Sequence, residues 1–144
     1  MSMRLQSAIF LIEDTLLNRE GADKVLSILK MEGVWMYAVT GLSREDAEEK
    51  LRKSGLSEYF RGILTEEETH CPPDSAEMFE RAMRRLRSEQ RDTIVFVGRL
   101  AALRNAREAG FRAAAVRGAA DEAEWAAMRD EADEVVEQYE DFLA

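Results

Sequence analysis

Ala8-Ile9-Phe10-Leu11-Ile12-Glu13-Asp14-Thr15-Leu16-Leu17 is the stretch on which the reading of this chain turns. Residues 8–12 form an apolar run of strand length that breaks abruptly into two carboxylates and a threonine. Such a run reads as a strand buried on both faces, ending in a polar loop. The pattern recurs outward from it. Residues 22–31 have helical spacing, with Val25, Leu26 and Leu29 on one side, and Gly33 ends them. Residues 34–40 read as a second strand. Ser43 is placed to cap a helix over 44–54, with Asp46 at its third position. A third strand is expected at 62–64, followed by Pro72 and Pro73 and a helix over 75–87. The apolar stripe of that helix is Met78, Phe79, Ala82, Met83 and Leu86. Then come a strand at 93–97, a helix at 100–109 stopped by Gly110, and a strand at 112–116. Two stretches, near 121–128 and 136–143, read as helices. Alternating strands and helices predict a three-layer α/β sandwich, a five-stranded parallel sheet covered on both faces. Ligands in such folds bind where strands end, so residues 11–15, 40–43, 65–73 and 97–99 are the positions of interest.

At 144 residues and 16.4 kDa, the expectation is a single domain spanning 1–144. One cysteine, Cys71, and one histidine, His70, exclude an internal disulfide framework and a Cys/His zinc cluster. No apolar run approaches the ~20 residues that span a bilayer, and residues 1–12 are too short and weakly charged for a secretory signal. The expected location is the cytoplasm, with no membrane contact. A net charge of -9 argues against a nucleic-acid surface. Charge is segregated, however. Residues 80–118 carry ten arginines against four acids, and residues 119–144 carry ten acids against one arginine. The two segments could attract within one chain or between chains, or form two solvated helix faces.

The strand ends carry a family resemblance. The opening stretch resembles the Asp-x-Asp-Gly-Thr-Leu motif of the haloacid dehalogenase-like (HAD) superfamily. The branch it is most similar to holds phosphoglucomutase-like and phosphoglycolate-phosphatase-like enzymes. Ala38-Val39-Thr40-Gly41 resembles the second motif, a strand ending in Thr or Ser. Leu56-Ser57-Glu58-Tyr59-Phe60-Arg61-Gly62-Ile63-Leu64 is similar to the stretch that follows it. Val95-Phe96-Val97-Gly98-Arg99, with the helix up to Gly110, resembles the fourth motif, and Ala132-Asp133-Glu134-Val135-Val136 the final short segment. The resemblance implies a Rossmann-like core with strand order 3-2-1-4-5. It also implies a capless form: 26 residues separate Glu13 from Thr40 and thirty separate Thr40 from Cys71, which leaves no room for a cap domain.

What the resemblance implies chemically is not matched by the residues present. The family's nucleophilic Asp falls on Leu11, whose alkyl side chain cannot form a covalent intermediate. A one-residue gap would move that match to Ile12. The second Asp, the general acid/base, falls on Glu13, the Gly on Asp14 and the Thr on Thr15. The motif lysine falls on Cys71 or Pro73. The magnesium-binding acids fall on Gly98 and Ala102, or on Arg99 and Leu103, none of which offers an oxygen ligand.

The leading expectation is therefore a catalytically degenerate HAD-like protein, a binding or regulatory module with no metal and no cofactor. Its expected ligand-binding residues are Glu13, Asp14, Thr15, Thr40, Gly41 and Arg99. In the family, the hydroxyl at Thr40 and the next backbone N–H bind phosphate, and a small anion or phosphate is the implied ligand. Arg99 could fork onto such an anion. The alternative is a hydrolase with rearranged residues, Glu13 or Asp14 as base or nucleophile and Arg99 on the phosphate, with magnesium if that reading holds. A protein partner or a homo-oligomer is the third expectation. His70 and Cys71 are adjacent in an extended stretch and are expected to point apart. Trp35 and Tyr37 are expected in the core or against helices. Trp125 is open between a partner anchor and sheet packing.

Overall fold

The computed structural model describes residues 5–17 and 19–143. Six strands, β1 (Ser7–Leu11), β2 (Trp35–Thr40), β3 (Phe60–Thr65), β4 (Thr93–Val97), β5 (Arg112–Val116) and β6 (Glu134–Val136), pair in parallel in the order β3-β2-β1-β4-β5-β6. The helices are α1 (Ala22–Met31), α2 (Arg44–Lys53), α3 (Glu66–Thr69), α4 (Ala76–Leu86), α5 (Leu100–Glu108) and α6 (Glu122–Glu131).

Strand periodicity explains the layering. Side chains alternate across a strand, so Ile9, Leu11, Tyr37, Val39, Val95, Val97, Ala113 and Ala115 face one side of the sheet. There they meet Met78 and Phe79 of α4, Leu103 of α5, and Trp125 and Met128 of α6. Ala8, Phe10, Ile12, Met36, Ala38, Ile94, Phe96 and Ala114 face the other side, against Val25 and Leu26 of α1, Leu51 of α2, and Tyr139. Both faces being buried is why the strands read as continuous apolar runs. Phe10 stacks on Phe96 with ring centroids 4.4 Å apart, tying the two central strands together.

Helix starts follow their caps. The Ser43 hydroxyl accepts the Asp46 N–H at 3.1 Å, and the Ser75 hydroxyl accepts that of Met78 at 3.2 Å. No helix is long and apolar enough to cross a membrane among the described residues.

Three expectations are corrected. The sheet has six strands, not five. The helix expected over 136–143 is instead β6 followed by a 3-10 turn over Tyr139–Leu143. The sixth strand is an edge of three residues, held by the Asp133 N–H on Ala113 O and by the Asp133 carboxylate on the Ala113 N–H, each at 2.9 Å. Third, Trp35 is not a core residue. It stands 47% exposed at the start of its strand, with the Arg61 guanidinium 3.9 Å above its ring.

Candidate functional site at the carboxyl ends of the strands

The loop after β1 turns at once. The Thr15 hydroxyl donates to Leu11 O at 2.5 Å, and the Thr15 and Leu16 N–H groups donate to Ile12 O at 3.3 and 3.2 Å. Asp14 sits at φ 70, the left-handed region that Gly and, among other residues, Asp and Asn favour. The backbone there thus has the conformation a glycine would take, although the residue is an aspartate. Leu11 ends β1 buried in the core shared with α4 and α5.

The turn aims Glu13 across to β2. Its carboxylate accepts the Thr40 hydroxyl at 2.6 Å on Oε1 and the Gly41 N–H at 2.8 Å on Oε2. Thr40 Oγ1 in turn accepts the Leu42 N–H at 3.0 Å. Glu13, Thr40 and Gly41 are therefore one hydrogen-bonded unit, in which an internal carboxylate takes a hydroxyl and a neighbouring backbone donor.

The end of β4 is closed against the same loop. A Cβ built on Gly98 would lie 2.6 Å from Asp14 Cβ and 2.9 Å from Asp14 O, so only glycine fits there. Ala102, one turn into α5, is fully buried. Arg99 pairs with α6. Its Nε and one terminal nitrogen fork onto the Glu124 carboxylate at 3.0 and 3.2 Å, and Glu124 also caps α5 by accepting the Leu100 N–H at 2.8 Å. The Glu124 hydrogen bond raises the Arg99 pKa above its ordinary value, and Arg99 holds Glu124 below its own. Asp14 lies close enough to Arg99 to add to that rise. Its main-chain oxygen is taken by Arg19 at 3.2 Å, and Arg19 also bonds Arg117 O.

Cys71 is buried beside Thr69, whose hydroxyl accepts its N–H at 3.2 Å, whereas His70 is exposed at φ 60. The two do not form a nucleophilic pair. Among the described residues no group of three or more His, Cys, Asp and Glu side chains could hold a metal ion. Trp125 is buried between the sheet and α5, so its packing role is the one realised.

The structure thus joins Glu13, Thr40 and Gly41, sets Asp14 beside Arg99, and turns the Thr15 hydroxyl back onto its own strand. Sequence reasoning missed Glu124 and Arg19. The signal for Glu124 was the acidic tail opposite a basic middle, which announces attraction but not which residues meet.

The sequence pattern of haloacid dehalogenase-like hydrolases matches residues 4–98. Among solved structures, a Thermotoga maritima protein described as a β-phosphoglucomutase superposes with a TM-score of 0.74 at 20% identity, over 87% of this chain and 57% of that one. A Haemophilus somnus protein described as a phosphoglycolate phosphatase gives 0.74 at 14% identity, over 87% of this chain and 55% of that one. The core domain of a Streptococcus pneumoniae protein, described likewise, gives 0.67 at 18% identity, over 89% of this chain and 97% of that domain. The chain thus spans little more than half the length of the first two proteins, yet nearly all of an isolated core domain. No curated protein matches the sequence.

Proposed function

The chain belongs to the haloacid dehalogenase-like hydrolase family, and we propose that within it this is a non-hydrolytic member, a binding module whose phosphate cradle is filled by its own Glu13. The observation that carries the reading is the hydrogen-bonded unit at the strand ends. The Thr40 hydroxyl and the Gly41 N–H, the pair that would hold a phosphate, are both spent on the Glu13 carboxylate. A phosphate arriving there would have to displace a charge-assisted pair of bonds and face a like charge.

Three further observations support it. Leu11 offers no nucleophile at the end of β1. Arg99, which could have held an anion, is forked onto Glu124. The available groups do not fit a magnesium ion, which needs an oxygen-rich octahedral shell. Gly98 and Ala102 have no oxygen-bearing side chains, Glu13 is committed to β2, and a carboxylate at 98 would collide with Asp14.

The test is hydrolysis of an aryl phosphate by purified protein, with and without magnesium, beside Glu13→Gln. The reading predicts no turnover above the buffer rate in any arm. Metal-dependent turnover that disappears in Glu13→Gln would overturn it and establish a hydrolase rebuilt around that carboxylate.

A further inference from the structure

Part of the charge segregation in the sequence is satisfied inside the molecule. Arg99 meets Glu124, Arg104 meets Glu131, Arg107 meets Asp133, and Arg117 meets both Glu122 and Glu137. The basic middle and the acidic tail are thereby clasped along α5, α6 and β6. Among the described residues, the arginines of α4 take no partner in the acidic tail. A groove of about 710 Å³ runs between α4 and the margin of the sheet, floored by residues 62–64 of β3. It is lined by Arg44, Arg81, Arg84 and Arg85 against Glu68 and Glu77. Arg44 is forked onto Glu68 at 2.8 and 2.7 Å, and Arg81 lies 3.4 Å from Glu77. Arg84 and Arg85 are exposed, and among the described residues no carboxylate lies within 4.0 Å of either. On a chain of net charge -9, this groove carries an excess of positive charge.

The floor is also unfinished. Among the described residues β3 pairs only with β2 and is one margin of the sheet. A strand margin exposes main-chain donors and acceptors that another chain can meet. Here one of them, Ile63 O, is already held by Arg44 at 2.6 Å.

We propose that this groove docks an extended acidic segment of a protein partner, its carboxylates on Arg84 and Arg85 and its backbone along β3. The proposal is independent of the fate of the strand-end site. Two features favour this occupant. Glu77 to Arg85 spans about 12 Å of helix, the length of roughly four extended residues. Arg84 and Arg85 are consecutive on a helix and splay apart, which suits two carboxylates spaced along a strand better than one phosphate. A nucleic-acid strand would extend beyond the groove onto a surface of its own sign.

The test is fluorescence anisotropy with a labelled peptide alternating glutamate and valine, titrated with the whole protein at low salt. Saturable binding is expected, weakened roughly tenfold or more by Arg84→Glu/Arg85→Glu and by added salt. A Lys24→Glu/Arg52→Glu variant, with the same charge change on exposed positions of α1 and α2, should bind like the parent. Circular dichroism of each variant checks the fold. Absence of saturable binding, equal loss in both charge-reversed variants, or preference for a single-stranded oligonucleotide would overturn the proposal. Sedimentation under the same conditions should show a monomer. Self-association abolished by the α4 reversal would replace the partner with a second copy.

Discussion

At the scale of single residues, the account rests on Glu13 and Gly98. Glu13 accepts from two donors at the end of β2, the Thr40 hydroxyl and the Gly41 N–H. Gly98 lies flat against Asp14, so any larger side chain there would collide with the loop after β1. Gly98→Asp is therefore expected to cost about 1–3 kcal/mol through overpacking, and magnesium should not restore the lost stability in thermal melts. A magnesium-dependent rise in the melting temperature of that variant would show that the loop can yield to a metal site. Asp14 tests the turn. Because its φ is 70, Asp14→Gly should leave stability unchanged or raise it by up to about 1 kcal/mol in urea unfolding. These residues were legible in the sequence as positions at strand ends. That Glu13 reaches Thr40 was not, since 26 intervening residues hide the contact until β1 and β2 are laid side by side. Arg99 was legible as a strand-end arginine but not as a committed one.

At the scale of elements, strands with long apolar runs and helices with serine caps could be read directly. Residues 22–31, 93–97 and 112–116 have the bounds the spacing suggests. The short pieces could not. α3 has four residues and β6 three, too few for either periodicity to declare itself, and both depend on tertiary partners. The clasp between α5 and α6 yields a pH prediction. Glu124 and Glu131 are held below the ordinary carboxyl range by Arg99 and Arg104, and Glu68 is held there by Arg44. A depressed folded pKa adds stability above the unfolded carboxyl value and loses it as pH falls through the folded one. Melting temperature should therefore fall on acidification below that range. Glu124→Gln should flatten part of this limb and cost under about 1 kcal/mol at neutral pH, because Arg99 is half exposed and solvent screens the pair.

For the whole molecule, the sheet is sealed on one face by α4, α5 and α6, and on the other by α1, α2 and the turn carrying Tyr139. Tyr139 is buried, its hydroxyl has no hydrogen-bond partner among the described residues, and burial pushes its pKa well above the ordinary value. The folded state thus favours the protonated phenol. Its contribution is complete below the unfolded tyrosine pKa and is lost as pH rises beyond it. Tyr139→Phe should be neutral or stabilising at pH 7 and should resist alkaline unfolding better than the parent. A shared alkaline midpoint would assign the transition to other groups.

That the Glu13 carboxylate occupies the cradle can be read at the Gly41 amide, which donates to it. Its ¹⁵N–¹H resonance would be followed while inorganic phosphate is titrated into the parent protein and into Glu13→Ala. No saturable shift is expected in the parent, and a saturable one once the carboxylate is removed. A saturable phosphate shift at Gly41 in the parent would contradict it.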